Sequence, residues 1–475
     1  MLKSGILTTV LLAGASALNA QLIAIKTVPL MATEQFAVTP TFSAGKAGLR
    51  LANEDSLRDP FLNPARGGLF NGRYLVSGTN LSRIATGVGG FFTIPVTFLY
   101  SNGRHFGGVH VSAQQMHARR YVPFPEQRAG TGNYLPDAWK EKKVFNGFFS
   151  GYWGRRLSSR DVLAGSLSYA RLTGLSGQEY LFDAPIYTQN AQEFETRLGW
   201  YRTLSSGAVE AVLVYQDFNV QTELGRSFPG EAGSAGTEQE ITRTFGLYLA
   251  GRRQVRKNVR AGFSLTANRK WHPKIINYSL MRIPRDPGDT YAFEIGTGLM
   301  LNDNGGRSKS GVEVLFQPVW SRTWAEAEKD MVRDDGSLLR KGGRTIDNRF
   351  RIANWRFRIG LEDHNPPFTV QLGLEVRLYR YRLEQENHIA GTVRRQTETW
   401  QEWKPSFSLQ YDFMGVRLGY VLGAVFGSGI PGVVNPGRSF VDSSDVGYLI
   451  APASALTLQN TVVLVHRLQI TRRLR

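Results

Sequence analysis

The chain has 475 residues, no cysteine and a formal charge of +18, from 57 basic against 39 acidic side chains. The missing cysteines exclude a disulfide framework and any thiolate metal site. The basic residues are spread through nearly every segment, with no lysine-rich tail and no nucleic-acid motif, which argues against a nucleic-acid partner.

The N-terminus reads MLKSGILTTVLLAGASALNAQ, where Lys3 precedes an apolar run through Leu12 and small residues follow at Ala15, Ser16 and Ala17. This is the pattern of a signal peptide over residues 1–20, with cleavage sites after Ala17 and Ala20. Its apolar core is too short for a membrane-spanning helix, and no later stretch offers about 18 consecutive uncharged apolar residues. Residues 21–69 are expected to form an N-terminal periplasmic or plug segment. Within it, residues 34–70 do not alternate and hold Pro40, Pro60 and Pro64, so they do not read as lipid-facing strand.

From about residue 90 one unit recurs: strand, tight polar turn, strand, longer connection. The turns read SNGR at 101–104, SSRD at 158–161, SSGA at 205–208, RKN at 256–258, DNGGR at 303–307, DHNPP at 363–367 and MG at 414–415. Between the hairpins lie long connections at 118–141, 176–192, 225–240, 272–289, 325–345, 386–395 and 427–459. Alternating short and long connections are the mark of a transmembrane β-barrel, with short periplasmic turns and longer external loops. With a first strand near 70–81 and a last near 460–473, the count over 70–475 is about sixteen antiparallel strands. Fourteen is the alternative if the first strand or the stretch at 416–426 fails. Both termini are then periplasmic and the barrel sits in a bacterial outer membrane.

The segment FTVQLGLEV, 368–376, alternates strictly, with Phe368, Val370, Leu372, Leu374 and Val376 on one face. The same holds for Phe245, Leu247 and Leu249, for Val259, Ala261, Phe263 and Leu265, and for Tyr291, Phe293, Ile295 and Leu299. In a membrane barrel these rows face lipid and the polar rows face the interior. Aromatic residues near strand ends, Tyr152, Trp153, Trp200, Tyr201, Trp271, Trp320, Trp324, Trp400 and Trp403, are expected to form interfacial girdles.

Pairing across the turn at 363–367 brings Arg356 opposite Glu375 or Gly373, with Arg358 and Arg377 on the same inner wall. On the neighbouring hairpin Glu313 falls opposite Gly298, and Glu294 opposite Gln317. These six charges, Arg356, Arg358, Glu375, Arg377, Glu294 and Glu313, are lumen or constriction candidates. Two readings stay open: ladders that satisfy one another, or a constriction that selects solutes by sign.

Gly45, Gly48, the acidic pair Glu54–Asp55 and above all Asn63, Pro64 and Ala65 resemble the N-terminal segment of the outer-membrane long-chain fatty-acid transporter family and its secretion-associated relatives. The resemblance implies a segment folded into the barrel as a hatch, with Asn63, Pro64 and Ala65 as its motif. The chain departs from the family in its sparser glycines, its higher strand count and its ending LQITRRLR, which lacks a terminal aromatic residue.

No catalytic constellation is read. His105 and His110 fall on opposite faces of one strand, His364 lies in a turn, and Asp330, Asp334 and Asp335 lack the spacing of a calcium loop. The expectation is a barrel without enzymatic activity, cofactor or metal, passing a hydrophobic or small solute across the outer membrane. The alternative is a structural or secretion-associated barrel whose external loops dock partner proteins. Its basic excess is expected to meet outer-membrane lipid and lipopolysaccharide phosphates.

Overall fold

The period of two is realised as sixteen long strands paired antiparallel in chain order and closed into a barrel. The computed structural model describes residues 39–84, 89–122, 138–173, 187–224, 236–272, 275–277, 283–285, 288–303, 305–327, 329–428 and 462–474. The expected signal peptide lies outside them.

The first nine strands are β1 (Gly72–Ile84), β2 (Gly89–Ser101), β3 (His105–Val122), β4 (Ala138–Arg156), β5 (Asp161–Leu172), β6 (Tyr187–Leu204), β7 (Gly207–Leu224), β8 (Gly236–Arg256) and β9 (Val259–His272). They continue through β12 (Gly288–Asn302), β13 (Ser308–Glu326), β16 (Arg344–Asn365), β17 (Phe368–Asn387), β18 (Thr392–Phe413), β19 (Val416–Ser428) and β20 (Val463–Leu474). Closure is made by β1 against β20, in register from Arg73 opposite Leu474 to Ile84 opposite Val463. The remaining strands form two small hairpins, β10 (Ile275–Asn277) with β11 (Ile283–Arg285) and β14 (Met331–Val332) with β15 (Leu338–Leu339). These sit in connections where no order is legible in the sequence, because two- and three-residue strands leave no measurable period.

All the short turns, from β2–β3 to β18–β19, lie at one end of the barrel together with Gly72 and Leu474. The strand ends that the long connections join lie at the other end. The junction of β1 and β2 departs from that pattern, with only residues 85–88 between them.

In the first half of β17, Phe368, Val370, Leu372 and Leu378 point outward and are exposed, whereas Thr369, Gln371 and Glu375 point inward and are buried. The same outward apolar row runs through Leu361, Ile359, Phe357 and Trp355 on β16 and Leu299, Ile295 and Tyr291 on β12. From Phe368 to Leu378 is ten steps, about 34 Å along the strand and about 25 Å in height once tilted, the thickness of a bilayer's apolar band. This is a transmembrane barrel with its apolar rows turned to lipid.

The aromatic girdle is only partly as expected. Trp153 and Trp320 are exposed outside, but Tyr152 and Tyr201 are buried inside, each 5% exposed, against the segment that enters the barrel. Each occupies the inward parity of its strand, and proximity to a strand end does not reveal parity. The side chain of Trp400 lies outside the described residues.

Replacing Leu372 by arginine puts a charge at the middle of the apolar band and is expected to destabilise the barrel by about 2–4 kcal/mol. Equilibrium unfolding in lipid vesicles checks this; an unchanged midpoint would place that row away from lipid.

Candidate functional site

The segment from Thr39 to Asn71 buries Leu49, Ala52, Leu57, Ala65 and Phe70 against the barrel wall, and polar contacts fix its path. Asp55 is its organiser. The carboxylate, 1% exposed, accepts from the Thr41 hydroxyl, from the Phe42 amide at 2.9 Å and from the Ser43 amide at 3.0 Å and hydroxyl at 2.6 Å. Its other oxygen takes the amides of Leu57 and Arg58 at 3.2 and 3.3 Å. Burial opposes the charge on Asp55, and the Arg58 guanidinium with these donors outweighs it, holding the carboxyl below the usual carboxylate range. A turn at 44–48 reverses the chain, with Gly48 at φ +74°. After it come the short helix α1 (Asp59–Leu62) and a 3-10 helix over Pro64–Leu69.

Asn63 joins the two helices and fastens them to the wall. Its side-chain oxygen accepts from the Ala65 amide at 3.0 Å, and its Nδ2 donates to Glu210 on β7 at 2.8 Å and to the Trp200 carbonyl on β6 at 3.3 Å. Pro64 opens the 3-10 helix where its missing N–H leaves nothing unpaired. Arg66 completes the junction, bridging Glu210 at 2.7 Å and Asp59 at 2.6 Å.

The charged candidates on the wall converge on the same segment. Glu294 pairs with Arg50, and Glu313 accepts from the Arg50 and Leu51 amides. Arg358 binds Glu375 at 2.6 Å, Glu313 at 3.3 Å and the Gly48 carbonyl at 3.2 Å. Arg377 binds Glu375 at 2.6 Å. Arg356 stands opposite Arg377, and Arg358 opposite Glu375, because the reversal pairs Asn365 directly with Phe368. The expected partner of Arg356, Glu375 or Gly373, is therefore off by at least one inward step. Glu313 opposite Gly298 is as expected, and Gln317 donates to Glu294.

Contacts missed in the sequence complete the ring. Lys46 bridges Glu362 at 2.6 Å; Gln371 donates to the Phe42 carbonyl at 2.7 Å and Gln410 to the same oxygen at 2.8 Å; Gln469 donates to the Thr41 carbonyl at 3.0 Å. At Gly262 and Gly373 the segment's backbone lies so close that a Cβ would come within 2.4 Å of the Leu51 carbonyl carbon and the Ala47 nitrogen. Side chains there are excluded by contact.

Beyond this layer, toward the long connections, the inner wall carries two apolar patches set among buried polar side chains that include Glu193, Lys270 and Asn348. Ala292, Val319, Phe350, Ile352, Tyr379, Tyr381 and Leu383 form one buried cluster on β12, β13, β16 and β17. Phe148, Ala170, Leu172, Ala191, Phe218 and Val220 form another on β4 to β7. On β17 the parity flips: Tyr379, Tyr381 and Leu383 are buried inside while Arg380 and Arg382 are exposed outside. The adjacent pair Leu378–Tyr379 is the sequence signal of that flip, and the period-two reading stopped short of it. The histidines do not converge: His105 stacks on Trp153, ring centroids 5.9 Å apart, whereas His110 is buried inside, 2.7 Å from the Thr97 hydroxyl. Asp330 accepts from the Lys341 amide and Asp335 from the Ser337 amide, and among the described residues no three potential ligand side chains converge as a metal site.

Glu210→Ala would leave the buried Arg66 guanidinium without its main partner and is expected to cost about 3–5 kcal/mol. The joint replacement of Arg66 by Met and Glu210 by Leu is expected to cost much less. Thermal unfolding of both variants checks this, and equal losses would mean the pair does not act as a unit.

No family model and no curated protein matches the sequence. Among solved structures the chain is similar to a Pseudomonas aeruginosa FadL homologue, at 13% identity, over 94% of this chain and 100% of that one, with a TM-score of 0.45. The Ralstonia pickettii toluene transporter TbuX is similar at 12% identity over 91% of this chain and 97% of its own, with a TM-score of 0.39. CdiB from Acinetobacter baumannii is similar at 9% identity over 85% and 60%, with a TM-score of 0.40.

Proposed function

We propose that this barrel is a passive outer-membrane channel for a hydrophobic solute, with the segment 39–71 as its hatch. The short-turn end and both termini face the periplasm, and the long connections and the rim beyond the apolar band face outside, in contact with lipid and lipopolysaccharide. The observation that carries this reading is the inverted wall of β16 and β17. Past the lipid band, Phe350, Ile352, Tyr379, Tyr381 and Leu383 line the inside and arginines the outside. A channel for ions or sugars has a polar interior, whereas an apolar lining with a few polar groups suits an apolar ligand. Tyr379 supplies one such group, its hydroxyl donating to Glu402 at 3.2 Å.

In this reading the lumen charges act as clamps on the hatch. The ring formed by Glu210, Glu294, Glu313, Glu362 and Glu375 with Arg50, Arg66, Lys46 and Arg358 holds it shut, and passage requires part of that ring to open. Asn63, Pro64 and Ala65 set where the chain enters the 3-10 helix and keep its end on β6 and β7.

Proteoliposomes carrying the full chain are expected to take up a labelled long-chain fatty acid or aromatic hydrocarbon. Replacing Ile352 and Tyr381 by glutamate is expected to cut that uptake about tenfold or more, since two buried charges cost far more than the 1.4 kcal/mol a tenfold change needs. Uptake equal in wild type and variant overturns the reading. Absence of both uptake and ion conductance from the wild type favours the docking barrel.

A further inference from the structure

The outward wall just past the lipid band carries a group of arginines that no carboxylate among the described residues neutralises. On β16 and β17, Arg351 stands directly opposite Arg382, and Arg380 follows two residues along the same outward row. Like charges directly opposed across strands, with Cβ atoms about 5 Å apart, destabilise a sheet. Among the described residues no carboxylate pairs with these three. The outward carboxylate of the neighbouring row, Glu384, is already shared between Arg349 at 3.7 Å and Arg395 at 3.6 Å. On β18, Thr399 and Thr397 stand opposite Arg380 and Arg382 and are exposed beside them.

The height of the group is set by its neighbours. Leu378, opposite Trp355, is the last apolar outward residue of β17, and Trp320 stands opposite Arg351 on β13. Tilted strands rise about 5 Å for each outward residue, so Arg380 and Arg382 stand roughly 5 and 10 Å beyond the apolar band, among lipid headgroups. Three guanidinium forks and two hydroxyls at that depth make a donor set suited to phosphate oxygens.

We propose that Arg351, Arg380 and Arg382, with Thr397 and Thr399, form an external seat for the phosphates of a glycolipid in the outer leaflet, the chemistry that lipopolysaccharide presents. Its bound phosphates offset the repulsion that the opposed arginines impose on β16 and β17. The seat rests on the reading that the long-connection end faces outside, and it does not depend on solute passage.

The test measures lipid retained by the purified full chain, by native mass spectrometry, using lipopolysaccharide, the same lipid after phosphatase treatment, and inorganic phosphate as probes. Wild type is expected to retain the phosphorylated lipid. Each of R351Q, R380Q and R382Q is expected to weaken retention about fivefold and the triple variant on the order of 100-fold, from roughly 1 kcal/mol per basic residue near an anionic surface. Phosphatase-treated lipid should be lost to the same degree, and inorganic phosphate should not displace the intact lipid. In lipid-free detergent the triple variant is expected to melt above wild type, with the order reversed once lipopolysaccharide is added. Retention by the triple variant at the wild-type level, equal retention of phosphatase-treated lipid, or displacement by inorganic phosphate each overturns the proposal. Heat-modifiable gel migration verifies that the variants are folded. Lipid retention by a wild type that takes up no solute would remove the transport reading and leave the seat standing.

Discussion

A strand shows one row of side chains to each side, and the medium on each side decides which row is apolar. In this barrel the strands are longer than a bilayer is thick. β16, β17 and β18 run 22, 20 and 22 residues, about twice what a tilted crossing needs. One strand therefore passes from lipid to water on its outer face while its inner face passes from contact with the inner segment to a cluster of buried apolar side chains. The parity flip at Leu378–Tyr379 is the mark of both changes on a single strand, and β16 repeats it at Ile352–Ala353, with Ile352 inside and Arg351 outside.

The short-turn half of the lumen meets a different requirement. A non-periodic segment has to be held inside a wide barrel: Leu57, Ala65 and Phe70 pack on the wall, and polar contacts give the segment its specific geometry. Buried ion pairs contribute little net stability when intact but much when broken. They therefore position the segment more than they stabilise it. Asp55 fixes its internal turn, Asn63 and Arg66 tie one end to β6 and β7, and Gln371, Gln410 and Gln469 tie the other to β17, β18 and β20. Gly262 and Gly373 let backbone meet wall.

Much of this was legible in the sequence because a half-lipid, half-polar environment imposes a strict period of two. The outward rows on β8, β9, β12 and β17 follow from that alone, and the strand count of about sixteen follows from the spacing of short turns and long connections. Register was legible only to within a step: the pairing of Arg356 with Arg377 depends on how many residues the reversal at Pro366 and Pro367 consumes. The inward aromatics Tyr152 and Tyr201 escaped because closeness to a strand end says nothing about parity. The apolar lining escaped for a related reason: the period-two reading ended at Val376, short of the point where the outer medium changes. The contacts of the inner segment are long-range pairings of a non-periodic stretch, and no local pattern reports them.

The central claim is that the outer face of β17 leaves the bilayer between Leu378 and Arg380. Spin labels placed singly at Val370, Leu372, Leu378, Arg380 and Arg382 in vesicles test it through their collision rates with oxygen and with a water-soluble nickel complex. The account predicts that oxygen dominates at 370, 372 and 378 and that the nickel complex dominates at 380 and 382. Nickel access at 372, or a label at 382 as deeply immersed in lipid as one at 372, would contradict it.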